Sequence, residues 1–191
     1  MQKKVAIMAL AVPLVALALV WWSLRYMQNQ NAINQYAFTL QSVDGVVKMS
    51  DFKGKKPIVY FGYMYCPDIC PTTLSLLSSA LHKLPKEQAE QFQIIFISVD
   101  PQRDALKELK EYANYFDKNA IGLSGDENYL KKITDNYGTY YAKEYLEGSN
   151  LEYSVNHTTF VYFFDQNGKL KDKIQHVNNT EAILEVLQKM L

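Results

Sequence analysis

Two cysteines, three histidines and two tryptophans are all that the 191 residues contain of those types. Two thiols allow one disulfide at most, so no disulfide framework holds the chain together. Charge is also missing as a signal: 20 lysines and arginines cancel 20 aspartates and glutamates. No basic stripe is announced, and nothing in the composition points to a nucleic-acid partner; none is expected. There is no internal repeat, and none of the 6 prolines lies beyond Pro101. What the chain does have is apolar mass, 48% hydrophobic and 13% aromatic residues with 14 tyrosines. That is enough to bury a core and argues against disorder. The length suits one globular domain and a short extra element.

The extra element is at the start. Lys3 and Lys4 precede an uninterrupted apolar run from Val5 to Val20, closed by Trp21, Trp22, Ser23, Leu24 and Arg25. A membrane span needs roughly 20 apolar residues, whereas the apolar part of a cleaved signal has about 7 to 15. The preferred reading is a single transmembrane anchor over residues 1–25; a cleaved signal ending near Ala16 to Ala18 is the alternative. Tryptophans suit the membrane interface, and the leading lysines keep the N-terminus cytoplasmic. This places the chain as a single-pass protein of the bacterial inner (cytoplasmic) membrane, with its soluble domain on the periplasmic side. Residues 26–35 are polar and patternless and read as a linker. The domain then spans 36–191.

Within the domain, Phe38 to Met49 alternates around Asp44-Gly45, a hairpin signal. Pro57 to Tyr63 is a nearly all-apolar run and predicts a buried central strand. Leu74, Leu77, Leu81 and Leu84 recur at helical spacing. Phe92 to Val99 predicts a second strand, Asp104 to Phe116 and Asp126 to Tyr137 two more helices. Thr159 to Phe164 and Lys169 to Gln175 form a hairpin, and Glu181 to Leu191 a closing helix. Alternating strands and helices imply an α/β fold, a central sheet with parallel strands flanked by helices, preceded by the N-terminal hairpin. Gly138 to Asn156 is the least regular stretch. It carries four tyrosines, and Tyr140 to Leu146 with Leu151 to Val155 flank Glu147-Gly-Ser-Asn150 as an excursion hairpin. A docking or signalling segment and a solvated insertion are equally open readings.

Both cysteines lie in Cys66-Pro-Asp-Ile-Cys-Pro71, directly after the central strand. That is where α/β folds place ligands, and a helix N-terminus favours the thiolate that attacks disulfides and binds metals. Pro71 reads as the first helical residue, with Cys70 just outside the helix. A disulfide across so small a loop would stabilise little. Thioredoxin-type oxidoreductases have two residues between their cysteines, not three, and place a proline against the thiols before a late strand. Here the matching stretch is Ser154-Val-Asn-His157. Two thiolates and an imidazole make a soft three-donor set that suits Cu(I) and tolerates Cu(II) with an added ligand, and is short of the four-ligand sets of structural zinc. A lone histidine is more often an ordinary core or surface residue, so these residues alone leave a redox pair and a metal pair both open. His82 and His176 read as structural or solvated. Met64 reads as packing, Asp68 as a helix-end group, and Asp100-Pro101 as shaping a neighbouring loop.

Several separated motifs together are more specific. Tyr60-Phe-Gly-Tyr63, Cys66-Pro-Asp-Ile-Cys-Pro-Thr-Thr-Leu74, Ser98-Val-Asp-Pro-Gln-Arg-Asp104 and Asn156-His157 resemble, in order and spacing, the Sco/SenC family. The resemblance covers Tyr36 to the C-terminus. It implies a thioredoxin-like fold on a single membrane anchor, and copper, Cu(I) or Cu(II), bound by Cys66, Cys70 and His157. It also implies a metallochaperone that delivers copper to the dinuclear centre of cytochrome c oxidase subunit II, or to another copper-accepting membrane protein, with or without reducing it. A thiol:disulfide oxidoreductase using Cys66 and Cys70 is the alternative, as is a copper or redox sensor; the chaperone reading requires no enzyme activity. The chain departs from the common family pattern at Asn156, where aspartate is usual, and at Met64-Tyr65, where Thr-His is usual. Loss of the carboxylate beside His157 predicts a less firmly oriented imidazole.

Overall fold

A computed structural model describes residues 2–145 and 152–191, with side chains described from residue 15 onward. Helix α1 spans Gln2–Gln35. Where an irregular linker is expected over 26–35, the chain stays helical, because nothing there breaks a helix already propagating from the residues before it. Among the described residues no helix is long and apolar enough to cross a membrane, so the expected transmembrane helix is not found there. The described end of the apolar run is nonetheless exposed, Leu17 at 66% and Leu19 at 60%, as are Trp21 and Trp22 after it.

The N-terminal hairpin forms as expected, β1 (Thr39–Ser42) against β2 (Gly45–Lys48). After a 3-10 turn over Met49–Phe52, the remaining elements are β3 (Lys56–Gly62), α2 (Ile69–His82), α3 (Lys86–Ala89), β4 (Phe92–Ser98), α4 (Leu106–Phe116), β5 (Ile121–Leu123), α5 (Glu127–Tyr137), β6 (Tyr141–Tyr145), β7 (Tyr153–His157), β8 (Phe160–Phe164), β9 (Leu170–Gln175) and α6 (Thr180–Lys189). The main sheet runs β5-β4-β3-β8-β9. β3 is parallel to β4 and β4 to β5, while β8 and β9 are antiparallel to their neighbours.

Every residue of β3 is buried, as a strand covered on both faces requires. Its side chains alternate between two cores. Tyr60 meets Phe96 of β4, which in turn meets Tyr112 of α4, and its hydroxyl reaches Cys70 of α2. Phe61 points the other way, its ring edge-on to Tyr137 of α5 at 4.9 Å. Tyr36, at the end of α1, joins this second core through Tyr137 and Phe164.

Two elements lack a sequence signal. Strand β5 is three residues long with Gly122 in its middle, where a Cβ would come within 2.5 Å of the Leu109 carbonyl oxygen. The turn of α3 follows Pro85 and buries no residue. The expected excursion hairpin is present as β6 paired antiparallel with β7, a two-stranded unit separate from the main sheet. Its turn, Glu147 to Asn150, lies outside the described residues.

Candidate metal centre

Strand β3 ends at Gly62, and the six residues that follow lead from the carboxyl end of this central strand into α2. The helix begins at Ile69, earlier than expected, so Cys70 is inside its first turn and Pro71 is the third helical residue. Proline is tolerated there because first-turn N–H groups have no intrahelical acceptor. Asp68 is the N-cap residue, although its carboxylate accepts from the Thr72 hydroxyl at 3.4 Å rather than from the backbone. Cys70 is wholly buried and Cys66 almost so, and neither is in a disulfide. Gly62 makes room for this arrangement: a Cβ at that position would lie 2.7 Å from the Cys70 sulfur.

The third group arrives on β7. His157 Nε2 lies 3.3 Å from Cys70 Sγ, and one donor atom each from Cys66, Cys70 and His157 fall within 4.8 Å of one another. Among the described residues this is the one cluster of three potential metal ligands. The imidazole is held by its other nitrogen, Nδ1, 3.1 Å from the Thr158 carbonyl. A carbonyl can only accept, so in the neutral ring the proton is on Nδ1 and the Nε2 lone pair faces the sulfurs. Asn156 takes no part in this. It lies on the opposite side of the strand and donates to Glu144 at 2.7 Å, so the orienting role expected of a carboxylate before the histidine is filled by a backbone oxygen. Tyr60 and Tyr63 stand edge-on to the imidazole at 6.3 and 6.0 Å.

The sulfurs are unequal. A hydrogen bond from Cys70 is the main cause that lowers the Cys66 thiol to about 3, with further help from the backbone N–H groups of Asp68 and Cys70, against the opposing effect of burial. Burial pushes the Cys70 thiol well up, and the neighbouring Cys66 charge pushes it further. Over a wide pH range the pair therefore shares one proton. Tyr60 donates to Cys70 Sγ at 3.6 Å, and burial keeps its phenol protonated. Two thiolate sulfurs and an imidazole nitrogen match a soft cation, and three donors leave a position open to an incoming ligand.

The other sequence candidates are elsewhere. His82 is exposed and contacts Ser78; His176 is exposed and contacts Thr159. Met64 packs against the core, and its N–H donates to Asp104. Asp100 does shape the neighbouring loop, and more firmly than its sequence indicated. Its buried carboxylate accepts from Arg103 Nε at 2.6 Å and from the Tyr153 hydroxyl at 2.8 Å. Tyr153 is legible in the sequence only as part of a tyrosine-rich segment, and Arg103 only as a member of the Ser98 to Asp104 motif, with no role assigned to it.

The coupled thiols give a direct test. Native apo-protein is expected to retain the ultraviolet absorbance of one thiolate as pH falls, losing it only towards about 3, and Cys66→Ser removes it. Linkage has the matching sign: a depressed thiol favours the folded state above its unfolded pKa, and that contribution fades as pH falls towards about 3. Loss of the absorbance in the ordinary range of about 8 to 9 would contradict the assignment.

Comparison with known proteins gives the family. A family profile described as SCO1/SenC matches residues 26–191. An SCO2-like protein of Rickettsia conorii is 34% identical over 152 residues, 79% of this chain and 74% of its own. A putative copper-binding protein of Stutzerimonas stutzeri is 31% identical over 198 residues, 100% of this chain and 95% of its own. The copper-bound crystal structure of Arabidopsis thaliana ScoI superimposes with a TM-score of 0.73 at 32% identity, over 80% of this chain and 95% of that one. With the Cys66, Cys70 and His157 cluster at the carboxyl end of the central strand of a thioredoxin-like sheet, the chain belongs to the SCO1/SenC family.

Proposed function

We propose that the protein is a copper metallochaperone, which carries copper on Cys66, Cys70 and His157 and passes it to an acceptor by ligand exchange. The observation that carries this reading is the convergence of two sulfurs and an imidazole nitrogen within 4.8 Å, with the imidazole lone pair already turned inward. The copper-bound relative and the copper-binding name of another support it. Cys66 meets the metal as a thiolate, and Cys70 gives up its proton on binding. Partly exposed His157 leaves the site reachable from solvent, so an acceptor thiolate or imidazole can enter before these ligands leave. The acceptor we infer is the dinuclear copper centre of cytochrome c oxidase subunit II, the destination the family resemblance implies, or another copper-accepting membrane protein.

A second reading rests on the same sulfurs. A Cys66 thiolate beside a Cys70 thiol can reduce a disulfide in the acceptor: Cys66 attacks one sulfur, the other leaves as a thiolate, and Cys70 then loses its proton and resolves the mixed disulfide. The acceptor ends with two thiols and this chain with a Cys66–Cys70 disulfide. The two readings part at His157, which copper carriage requires and disulfide exchange does not.

The location we propose is the bacterial inner membrane, anchored by the apolar segment within residues 1–25, with the domain on the periplasmic side. The exposed Trp21, Trp22 and Leu24 beyond the apolar run support it. The full chain is expected to sediment with membranes and resist high-salt extraction, and a chain lacking residues 1–25 to appear in the soluble fraction. Salt-extractable full-length protein would contradict the anchor.

Copper titration of the reduced full chain in detergent tests the main reading. One copper per chain is expected, with Cys66→Ser or Cys70→Ser abolishing tight binding and His157→Ala weakening it at least about tenfold, the scale of a lost supporting ligand. Unchanged stoichiometry and affinity across the three variants would refute it.

A further inference from the structure

The His157 strand belongs to a hairpin with no backbone pairing to the main sheet, whereas both sulfurs belong to the body of the domain. Something must hold the two parts of the site in register. On the body side, Asp100 is wholly buried at the end of β4, its own N–H fixed to the Ser98 hydroxyl. Its two carboxylate oxygens point to different partners: Oδ2 accepts from Arg103 Nε, and Oδ1 from the Tyr153 hydroxyl. Arg103 Nη1 then donates to the Tyr153 carbonyl at 2.8 Å, and the guanidinium lies 3.7 Å from the centre of the Tyr153 ring. One tyrosine of β7 is thus gripped at its hydroxyl, its ring face and its backbone oxygen.

We infer that this Asp100, Arg103 and Tyr153 lock is a positioning device for the metal centre, fixing the hairpin so that His157 Nε2 faces the two sulfurs. Tyr153 and His157 are the two ends of one five-residue strand, so a displacement at the first is carried to the second. Arg103 also faces the rings of Tyr63 and Tyr65 at 5.8 and 5.2 Å. Tyr63 in turn stands edge-on to His157. The same guanidinium therefore steadies the cysteine loop and the histidine strand. Burial makes the grip strong, because removing one partner of a buried charged pair leaves the other uncompensated. The hairpin is tied to the body at other points too: Val155 is buried in the core and its backbone is hydrogen-bonded to the Tyr63 hydroxyl, and Lys143 reaches Glu127 at 3.0 Å and the Tyr141 hydroxyl the Glu127 carbonyl at 3.4 Å.

The inference rests on the copper-carrier reading, and a double-mutant cycle separates the two. Tyr153→Phe keeps the ring and removes only the hydroxyl bonded to Asp100. In the full chain in detergent, it is expected to weaken copper binding by about tenfold, the scale of one hydrogen bond to a charged group. In a His157→Ala background the same change is expected to cost less than about twofold, because the lock no longer has an imidazole to place. Arg103→Lys, which keeps the charge and loses the fork, should behave alike and covers the case in which Tyr153→Phe folds poorly. An independent readout is the nitrogen resonance of the His157 imidazole in the apo-protein, expected to broaden or shift in both lock variants. Equal losses in the two backgrounds, or no loss with an unmoved imidazole signal, would overturn the lock while leaving the copper reading intact. Unchanged affinity in His157→Ala alone would overturn the copper-carrier reading and the lock with it.

Discussion

The close approach of Cys70 Sγ and His157 Nε2, 3.3 Å apart and 87 residues distant in sequence, is the contact on which the rest of the site depends. It requires a helix to bring a sulfur against the end of a strand, which in turn requires a glycine at that strand end. It requires a second segment to turn an imidazole lone pair, not an N–H, towards the sulfur. Gly62 meets the first demand and the Thr158 carbonyl the second. Burial of Cys70 then does the electrostatic work, since a sulfur that resists ionisation hydrogen-bonds to its neighbour and leaves Cys66 as the thiolate.

The sheet explains why the body half of this contact is rigid. β3 is buried along its whole length and flanked by β4 and β8, so Gly62 has a fixed position. The histidine half is framed less directly, through the Thr158-Thr159 link to β8 and the buried side chains of Tyr153 and Val155. β6 and β7 pair only with each other, and the hairpin borrows order from side chains. A metal site divided between a rigid sheet and a separately tethered hairpin already holds its donors within 4.8 Å of one another, and offers its exposed edge to an acceptor. That architecture suits a carrier, which must hold its cargo and also release it.

Much of the fold was legible because its signals are local. The apolar run at Pro57, the leucine spacing of α2 and the Asp44-Gly45 turn each encode an element without reference to the rest of the chain. Strand β5 was not legible: three residues around a glycine carry no periodicity, and their strand character comes from pairing with β4. The helical course of residues 26–35 was missed for a related reason, since polar residues that begin no helix can still continue one. At the site, the cysteines were readable from their place after a buried strand, whereas His157 stood out through the separated motifs of the family resemblance. The Asp100, Arg103 and Tyr153 contacts were beyond reach, because 50 residues separate Arg103 from the carbonyl it grips and no spacing rule links them. Asn156 shows the opposite error. A missing carboxylate looked consequential in sequence, yet the side chain at that position faces away and a backbone oxygen orients the imidazole.

Copper carriage and disulfide exchange use the same sulfurs and diverge only at the imidazole. The most direct measurement is therefore the copper content of cytochrome c oxidase in a strain lacking this gene and rescued by the His157→Ala protein at native abundance. The account predicts that the oxidase remains deficient in copper, as with either cysteine variant. Full restoration by His157→Ala, with both cysteine variants inactive, would contradict it and assign the site to disulfide chemistry.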